Sequence, residues 1–204
     1  MSLLFETIKC QNRLLYNLDY HNQRIEESVL RLFGKTPKFD LKNEIQIDDS
    51  VSDALYRCRV TYTDLVEKIE FFPYKLKHPK KVKIVEDNSI KYSFKYEDRD
   101  VFINLMEQNL GFDDVIIAQN GLLTDATYSN LALWDGTNWI TPKTYLLKGT
   151  KRTFLLAKHK IIEKEISVDD LKNYSKIAFI NAMRELETNY SFKFISDSEL
   201  ELWT

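Results

Sequence analysis

Residues 73–81 carry two of the chain's four prolines and four lysines, and this stretch most limits the folds open to the sequence. Proline interrupts helices and central strands, and solvated lysines are typical of exposed connections. We therefore expect a boundary between two domains near residue 76. Residues 1–76 are predicted to form an N-terminal α+β domain and residues 77–204 a C-terminal α+β domain.

Short strand-like and helix-like runs follow one another on both sides of this boundary. In the N-terminal part, strands are predicted at Leu3–Lys9, Arg13–Tyr16, Tyr56–Tyr62 and Lys68–Tyr74, and helices from Asp19 or Tyr20 to Phe33, where Gly34 ends the helix, and over Ile47–Leu55. In the C-terminal part, strands are predicted at Lys81–Val85, Ile90–Phe94, Asp114–Gln119, Ser129–Trp134, Trp139–Ile140, Ile161–Ile166 and Lys176–Asn181, and helices from Tyr96 or Glu97 to Asn109, over Thr150–His159 and over Val168–Asn173. This order predicts a mixed α+β fold class with mostly antiparallel sheets.

Length and composition predict a globular protein with a substantial core. The chain has 204 residues, 44% of them hydrophobic, and a net charge of -2. Cys10 and Cys58 show no C-x-x-C spacing, which favours reduced thiols inside the cell and predicts no metal site. The sequence has no secretory-type start and no stretch of about 18 apolar residues, so we expect a cytoplasmic protein without a membrane partner.

One basic and aromatic stretch, residues 71–83, is compatible with a nucleic-acid surface. It combines Phe71, Phe72 and Tyr74 with His78 and lysines at Lys75, Lys77, Lys80, Lys81 and Lys83. However, the whole chain is slightly acidic, and solvated lysines are expected in a connection between domains. We therefore predict no nucleic-acid partner.

The stretch from Gly121 to Arg152 indicates a chemistry more directly than any other part of the sequence. Asp125 precedes Asn130 by five positions in what the pattern predicts as a turn entering a strand. Gly149 and Thr150 then begin a helix, and backbone N–H groups at a helix start can bind a phosphate. The alternatives are ordinary: Asp125 could cap its own turn, and Gly149 could be a loop glycine.

These residues, with Lys95, Arg99 and Asn181, resemble the signature of the class IV aminotransferase family, the fold-type IV pyridoxal phosphate enzymes. The resemblance extends from about Phe5 to Met183 and is strongest to 4-amino-4-deoxychorismate lyase. It implies a two-domain fold like that of D-amino acid aminotransferase, in a compact version that lacks the first N-terminal strands. It also implies pyridoxal 5'-phosphate as cofactor, a small-molecule amino substrate and a homodimer.

Lys95 is the catalytic residue that the resemblance implies. The segment from Lys95 to Arg99 resembles the family's K-x-x-x-R pattern, in which the lysine forms a Schiff base with the cofactor. A cationic neighbour and a partly dry pocket would lower the lysine's affinity for its proton and free the amine for attack on an aldehyde. Taken alone, Lys95 could equally be a surface lysine.

Asp125 stands where the family usually has a glutamate that accepts a hydrogen bond from the cofactor's pyridine nitrogen. A carboxylate there keeps the nitrogen protonated, so the ring can take up electrons from the substrate. Aspartate has the same charge and a shorter side chain.

Phosphate binding is implied at three places. His21 and Arg24 resemble the family's H-x-x-R segment, residues 149–152 resemble its G-I/V-T-R helix start, and Asn181 and Ala182 resemble its paired small residues. The alternatives are a solvated helix face for Arg24 and a strand end for Asn181. The implied cofactor-binding set is Arg24, Lys95, Asp125, Gly149, Thr150, Lys151, Asn181 and Ala182.

Substrate contacts are implied more weakly. Phe5 lies in a segment resembling the family's F-E-T/G-I strand. Asn130 follows Asp125 by five positions in the motif. Arg57 and Arg59 share one strand face and could bind a substrate carboxylate or face solvent beside Glu67 or Glu70.

The implied activity is that of a 4-amino-4-deoxychorismate lyase, which releases 4-aminobenzoate and pyruvate in the synthesis of a folate precursor. The alternatives are a class IV transaminase of the branched-chain or D-amino acid type and a catalytically degenerate homologue that still binds the cofactor.

Overall fold

The computed structural model describes residues 2–204, and the chain divides into two compact units. The first unit contains the chain up to Leu76 together with Phe94–Asp98, and the second contains Lys77–Ser93 and Arg99–Thr204. Residues 94–98, which include Lys95, were expected in the second unit. They pack with the first, so the chain leaves the second unit after Ser93 and returns to it at Arg99.

Within its described residues, the first unit contains one four-stranded antiparallel sheet and two helices, with strand order β2–β1–β3–β4. Its elements are β1 (Leu4–Gln11), β2 (Leu14–Leu15), α1 (Leu18–Phe33), α2 (Leu41–Glu44), β3 (Tyr56–Tyr62) and β4 (Val66–Pro73). Side chains alternate between the two faces of a strand, so Leu4 and Ile8 share a face of β1. They pack with Ile25 and Val29 of α1 in the core of this unit.

Helix α1 ends where the sequence predicted and begins slightly earlier. Gly34 adopts the left-handed conformation at φ 63°, and its N–H donates to the carbonyl of Leu30, which confirms the predicted stop. Asn17, also left-handed at φ 58°, precedes the first helical residue, Leu18. No helix among residues 2–204 is long and apolar enough to cross a bilayer.

The helix predicted over Ile47–Leu55 is wrong. Asn12 and Arg13 form a two-residue turn between β1 and β2 with φ angles of 52° and 57°. From this turn the Arg13 guanidinium donates to the backbone carbonyls of Ile47 and Asp48, both at 3.1 Å, and of Val51 at 2.6 Å. Because a side chain binds these carbonyls, the segment stays an irregular loop.

The second unit contains a nine-stranded, mostly antiparallel sheet. The strand order is β10–β9–β8–β11–β12–β13–β5–β6–β7 and β7 also pairs with β8, so seven of these strands close into a ring. Its elements are β5 (Lys81–Glu86), α3 (Asp100–Glu107), β6 (Asp114–Gln119), β7 (Leu122–Ala126), β8 (Ser129–Trp134), β9 (Trp139–Pro142), α4 (Thr150–Ala157), β10 (Ile162–Lys164), a 3-10 helix (Asp169–Asn173), β11 (Lys176–Ile180), β12 (Asn189–Ser196) and β13 (Glu199–Trp203).

Buried aliphatic side chains from these strands form the main core of the second unit. Ile116 of β6, Leu131 and Leu133 of β8, Ile177 of β11 and Leu200 of β13 belong to one cluster and are almost fully buried. Burial of such side chains is the main stabilising contribution to a sheet of this kind. The core therefore fixes β7 and β8, which lie next to each other and carry the candidate carboxylate.

The strand predicted over Ile90–Phe94 is absent. Its backbone lies in a loop that Gln119 holds, since Gln119 Nε2 donates to the carbonyls of Asp87 at 3.0 Å and Ile90 at 2.8 Å.

Helix α3 begins at Asp100, several residues later than predicted. The residues immediately before it pair with β1, because Phe5 N donates to Lys95 O at 3.0 Å and Glu97 N donates to Leu3 O at 2.9 Å. Backbone groups bound to a strand are not available for a helix.

Candidate active site

In the first unit, a buried carboxylate contacts the arginine that was predicted to bind phosphate. Glu6 on β1 is fully buried. Arg24 Nε donates to Glu6 Oε1 at 2.9 Å, and Arg24 Nη2 donates to Glu6 Oε2. His21 Nδ1 lies 2.5 Å from Glu6 Oε2. His21 and Arg24 are three residues apart on α1, so one face of the helix presents both to the same carboxylate.

Glu6 is ionised and His21 is neutral at pH 7. Burial raises the pKa of the Glu6 carboxyl, but the charge of Arg24 and the hydrogen bonds from His21 and Arg24 outweigh it and lower the pKa to about 2. Burial lowers the pKa of His21, although the hydrogen bond to Glu6 and the charge of Glu6 oppose that shift. The first unit thus contains a buried ion pair between Glu6 and Arg24, and the neutral imidazole of His21 is hydrogen-bonded to the carboxylate of this pair.

Lys95, Phe5 and Arg59 come together on the other face of β1. The Lys95 Nζ atom lies 4.6 Å and the Arg59 Cζ atom 4.2 Å from the centre of the Phe5 ring. Both cations therefore make cation–π contacts with one ring. Arg59 Nη2 also donates to Glu97 Oε1 at 3.0 Å.

Arg57 lies on the same face of β3 as Arg59. Its guanidinium carbon is 5.1 Å from the centre of the Phe72 ring. Its Nε atom is buried and has no hydrogen-bond partner among the described residues. The register places Arg59 opposite Glu70, whereas the carboxylate of Glu70 pairs with Lys68 at 2.7 Å. The Nε atom of Arg57 is thus a buried donor without a protein acceptor among the described residues.

In the second unit, Asp125 is a fully buried carboxylate on β7, not in the turn that was predicted for it. Its Oδ2 atom accepts from Leu147 N at 2.9 Å and Leu146 N at 3.1 Å, and its Oδ1 atom accepts from Asn130 Nδ2 at 2.7 Å. An ionised carboxylate offers about four acceptor positions. The described residues therefore leave about one position on Oδ1 for another donor.

The protonation of Asp125 is balanced near neutral pH. Burial raises the pKa of this carboxyl to about 7, against the lowering effect of the hydrogen bonds from Leu147, Asn130 and Leu146 and of the charge of Arg152. A protonated ring nitrogen beside Asp125 would add an opposite charge and favour the ionised carboxylate. A carboxyl group with such a shifted pKa is a candidate functional group.

Asn130 and Gly149 fix the segment that follows β9. Asn130 Nδ2 donates to Leu147 O at 2.9 Å as well as to Asp125. A Cβ atom added at Gly149 would lie 1.9 Å from Asn130 Oδ1, so only glycine fits while Asn130 keeps this position. Asn130 thereby joins the buried carboxylate to the start of α4.

Helix α4 begins at Thr150 after Gly149, as predicted. Thr150, Lys151 and Arg152 are all buried. Lys151 Nζ pairs with Glu185 at 2.6 Å, and Arg152 Nη2 pairs with Glu163 at 2.6 Å. The first turn of a helix has backbone N–H groups without intrahelical partners, and these are what α4 offers to an anion.

Asn181 directly follows β11 and binds the turn between β7 and β8. Its Nδ2 atom donates to Ser129 Oγ at 3.0 Å and Tyr128 O at 3.1 Å, and its Oδ1 atom accepts from Met183 N at 2.9 Å. Ala182, the next residue, is half-buried. Asn181 therefore contacts the turn that follows β7, the strand that carries Asp125.

Comparison with known proteins identifies the family. The model of the family "Amino-transferase class IV" matches residues 100–187. A Haemophilus influenzae protein without an assigned function is 36% identical over 185 residues, which cover 90% of this chain and 98% of that protein. A crystal structure of a protein from Haemophilus somnus, provisionally named 4-amino-4-deoxychorismate lyase, superposes with a TM-score of 0.85 at 37% identity, covering 91% of this chain and 98% of that one.

The chain belongs to the class IV aminotransferase family. This confirms the predicted fold-type IV architecture, and members of the family are pyridoxal phosphate-dependent enzymes. A Schizosaccharomyces pombe protein, provisionally named aminodeoxychorismate lyase, is 30% identical over 131 residues, which cover 59% of this chain and 56% of that protein.

Each unit, taken by itself, contains groups of the kinds that bind pyridoxal phosphate. Asp125 has an acceptor position for a protonated ring nitrogen, and the start of α4 offers backbone donors for a phosphate. In the first unit Arg24 offers a guanidinium and Lys95 a primary amine.

Arg99, the arginine of the K-x-x-x-R pattern, makes contacts in the second unit that the sequence did not indicate. Arg59 is a cation that shares the Phe5 ring with Lys95. Arg99 Nη2 donates to Thr127 O, and its guanidinium carbon lies 4.6 Å from the centre of the Tyr128 ring. It thus supports the turn that joins β7 to β8.

The sequence analysis did not single out Glu6, which contacts His21 and Arg24 in the first unit. A signal for it exists, because β1 alternates Leu4, Glu6, Ile8 and Cys10 on its buried face. A carboxylate in such a row needs a buried cationic partner.

Proposed function

We propose that the protein is a pyridoxal phosphate-dependent lyase that cleaves 4-amino-4-deoxychorismate to 4-aminobenzoate and pyruvate, a folate precursor reaction. The observation that carries the proposal is the buried Asp125 carboxylate, whose remaining acceptor position suits a protonated ring nitrogen. The provisional lyase names of the Haemophilus somnus and Schizosaccharomyces pombe relatives support this choice within the family.

Each candidate residue then has a defined role. When bound, the cofactor supplies an electron sink for the bond that breaks at the substrate's α-carbon. Lys95 would hold the cofactor through its Nζ atom at the aldehyde carbon and would carry the proton of the substrate's α-carbon. Asp125 would keep the ring nitrogen protonated. The residues proposed for the phosphate are Arg24, Gly149, Thr150, Lys151, Asn181 and Ala182.

The contacts within the second unit refine two of these roles. Because Lys151 already pairs with Glu185, we assign its backbone N–H to the phosphate, not its side chain. Because Asn130 binds Asp125 and Leu147, we assign it to orienting the carboxylate.

Substrate recognition is proposed for the face of the first sheet that carries Phe5. The substrate carries carboxylates, and arginine is suited to binding them with two parallel hydrogen bonds. Arg59 and Arg57 share this face and are the arginines proposed for that contact. We also propose a homodimer, as the family resemblance implies, and a cytoplasmic location, as expected from the sequence.

A class IV transaminase is the alternative function, since it requires the same cofactor contacts. The test is to add pyridoxal phosphate to the purified protein, look for a visible absorption band that borohydride fixes to the protein, and then assay both reactions. Release of 4-aminobenzoate and pyruvate in equal amounts supports the lyase. Amination of keto acids without that release supports the transaminase, and cofactor binding with neither product supports a degenerate homologue. No band and no binding would refute the enzyme assignment.

A further inference from the structure

We propose that Glu6 is a positioning residue, which holds the Arg24 guanidinium in the orientation that binds the cofactor phosphate. His21 fixes the carboxylate in turn. This inference rests on the proposed function, because it takes Arg24 to be a phosphate contact.

The position of Glu6 is unusual for a carboxylate. It lies on the buried face of β1 with Leu4, Ile8 and Cys10, all fully buried. A buried ion pair is weak support for stability, because apolar side chains of similar volume often stabilise a core equally well. The pair is therefore better explained by what it does to Arg24 than by its contribution to folding.

The geometry of the pair fixes the direction of the guanidinium. Arg24 donates hydrogen bonds from its Nε and Nη2 groups to the two carboxylate oxygens of Glu6. A guanidinium is planar and carries five N–H donors, so two bonds along one edge determine where the rest of the plane points. The Arg24 side chain is 10% exposed whereas Glu6 is 0% exposed, so Arg24 is the less deeply buried member of the pair.

An arginine whose side-chain orientation is already fixed before the ligand binds is favoured for anion binding. A flexible side chain loses rotamer freedom when it binds, and a side chain already fixed loses less. His21 contributes by constraining Glu6 Oε2, which lies 2.5 Å from its Nδ1 atom. Since Glu6 and Arg24 together carry no net charge, the attraction for phosphate must come from directed N–H groups more than from excess positive charge.

The test compares two ligands that differ only in the phosphate. Dissociation constants of pyridoxal 5'-phosphate and of pyridoxal are measured by equilibrium dialysis for the wild type and for Glu6→Gln. The quantity compared is the dissociation constant of pyridoxal divided by that of pyridoxal 5'-phosphate. Pyridoxal closes to an internal hemiacetal in solution, but this affects the wild type and the variant equally, so the change in this ratio between the two proteins reports the phosphate contacts. We expect Glu6→Gln to reduce this ratio by about tenfold or more, in the range seen when a residue that orients a ligand contact is lost. Affinity for pyridoxal should stay within about threefold, since a change below 1 kcal/mol is expected away from a lost contact.

Matched variants separate positioning from a loss of folding. Asp64→Asn removes another acid of the first unit, the partner of Lys35 at 3.0 Å, and should leave the ratio unchanged. Arg24→Lys keeps the charge but not the planar fork, so it should reduce the ratio even if Glu6→Gln fails to fold. Full retention of the ratio in Arg24→Lys would overturn the inference.

A double variant tests whether Glu6 acts through Arg24. With Arg24→Gln already present, Glu6→Gln should cause little further loss of the ratio, because residues that act through one contact are not additive. Equal losses in the presence and absence of Arg24 would overturn the inference. An unchanged ratio in Glu6→Gln would sink it while leaving the proposed function standing, whereas a wild type that binds neither ligand would sink the proposed function itself.

Discussion

Glu6 and Asp125 are both fully buried carboxyl groups, yet their pKa values move in opposite directions. Burial raises the pKa in each case. Glu6 faces the full charge of Arg24 and settles at about 2, whereas the hydrogen-bond partners of Asp125 are neutral N–H groups and its pKa rises to about 7. The nature of the partner, more than the depth of burial, therefore decides the charge of each residue.

The raised pKa of Asp125 predicts a loss of folding stability as pH rises from about 4 to about 7 in the protein without added cofactor. In that range the folded carboxyl keeps its proton while the unfolded one, with its ordinary value of 3.8, has lost it. The unfolded state then binds fewer protons, so the free energy of unfolding falls as pH increases. The contribution of this group is about 4 kcal/mol at most, from about 1.4 kcal/mol per pH unit. Urea unfolding at a series of pH values measures it.

The control for this pH dependence is Asp125→Asn, which cannot ionise. Relative to the wild type, the variant should become more stable as pH rises through the same range. His21, whose lowered pKa gives the opposite slope, is present in both proteins and cancels in the comparison. Parallel pH profiles for the two proteins would contradict the assignment of the titration to Asp125.

Lys95→Ala should abolish the borohydride-fixed bond to pyridoxal phosphate, because the variant lacks the amine that the proposal requires. Lyase turnover should fall by about 10³-fold, in the range for loss of a proton-transfer group. Peptide mapping by mass spectrometry locates the modified residue. Lys81→Ala, a change on β5, should keep both the bond and the turnover. Equal modification of the two variants would exclude Lys95.

At the scale of secondary structure, the alternation of apolar and polar residues identified most strands. Tertiary contacts explain the elements that were predicted wrongly. β3, β6 and β8 have the predicted bounds, because their β-branched and aromatic residues meet no competing signal. The hairpin β12–β13 was not predicted, although Tyr190, Phe192 and Phe194 alternate along it. The loop held by Arg13 could not be foreseen, since its hydrogen bonds join residues more than 30 positions apart.

Gly149→Ala should destabilise the protein through Asn130. The backbone at Gly149 has φ -71°, which alanine adopts without strain, so the effect must come from the Cβ atom 1.9 Å from Asn130 Oδ1. Displacing Asn130 would remove a hydrogen bond from Asp125. We expect a loss of about 1 to 3 kcal/mol, as for other insertions into packed sites, measured by urea unfolding.

Removing the clash should reverse part of this effect. In Asn130→Ala the space beside Gly149 is open, so adding Gly149→Ala to that variant should cause little further loss of stability. Independent effects of the two changes would be additive, and such additivity would show that the alanine acts elsewhere.

For the whole molecule, motifs predicted the family and its cofactor, while contacts decided the detailed roles. Lys95, Asp125 and Gly149 occur in the family's order along the chain, which a sequence reveals directly. Which cation lies beside Lys95, and which acid holds Arg24, depends on residues brought together by folding. For this reason the sequence analysis gave Glu6 no role.

The ring of strands in the second unit closes at a very short junction. Only two residue pairs join β7 to β8 in the described chain, Asp125 with Asn130 and Ala126 with Ser129. Transient opening at this junction would move the carboxylate away from a ligand, so a bound cofactor should suppress the opening. Backbone amides of residues 125–130 should then exchange with deuterium more slowly when the protein is loaded, while those of β10 keep their rate. The closure of the ring and the position of the Asp125 carboxylate thus depend on the same two residue pairs.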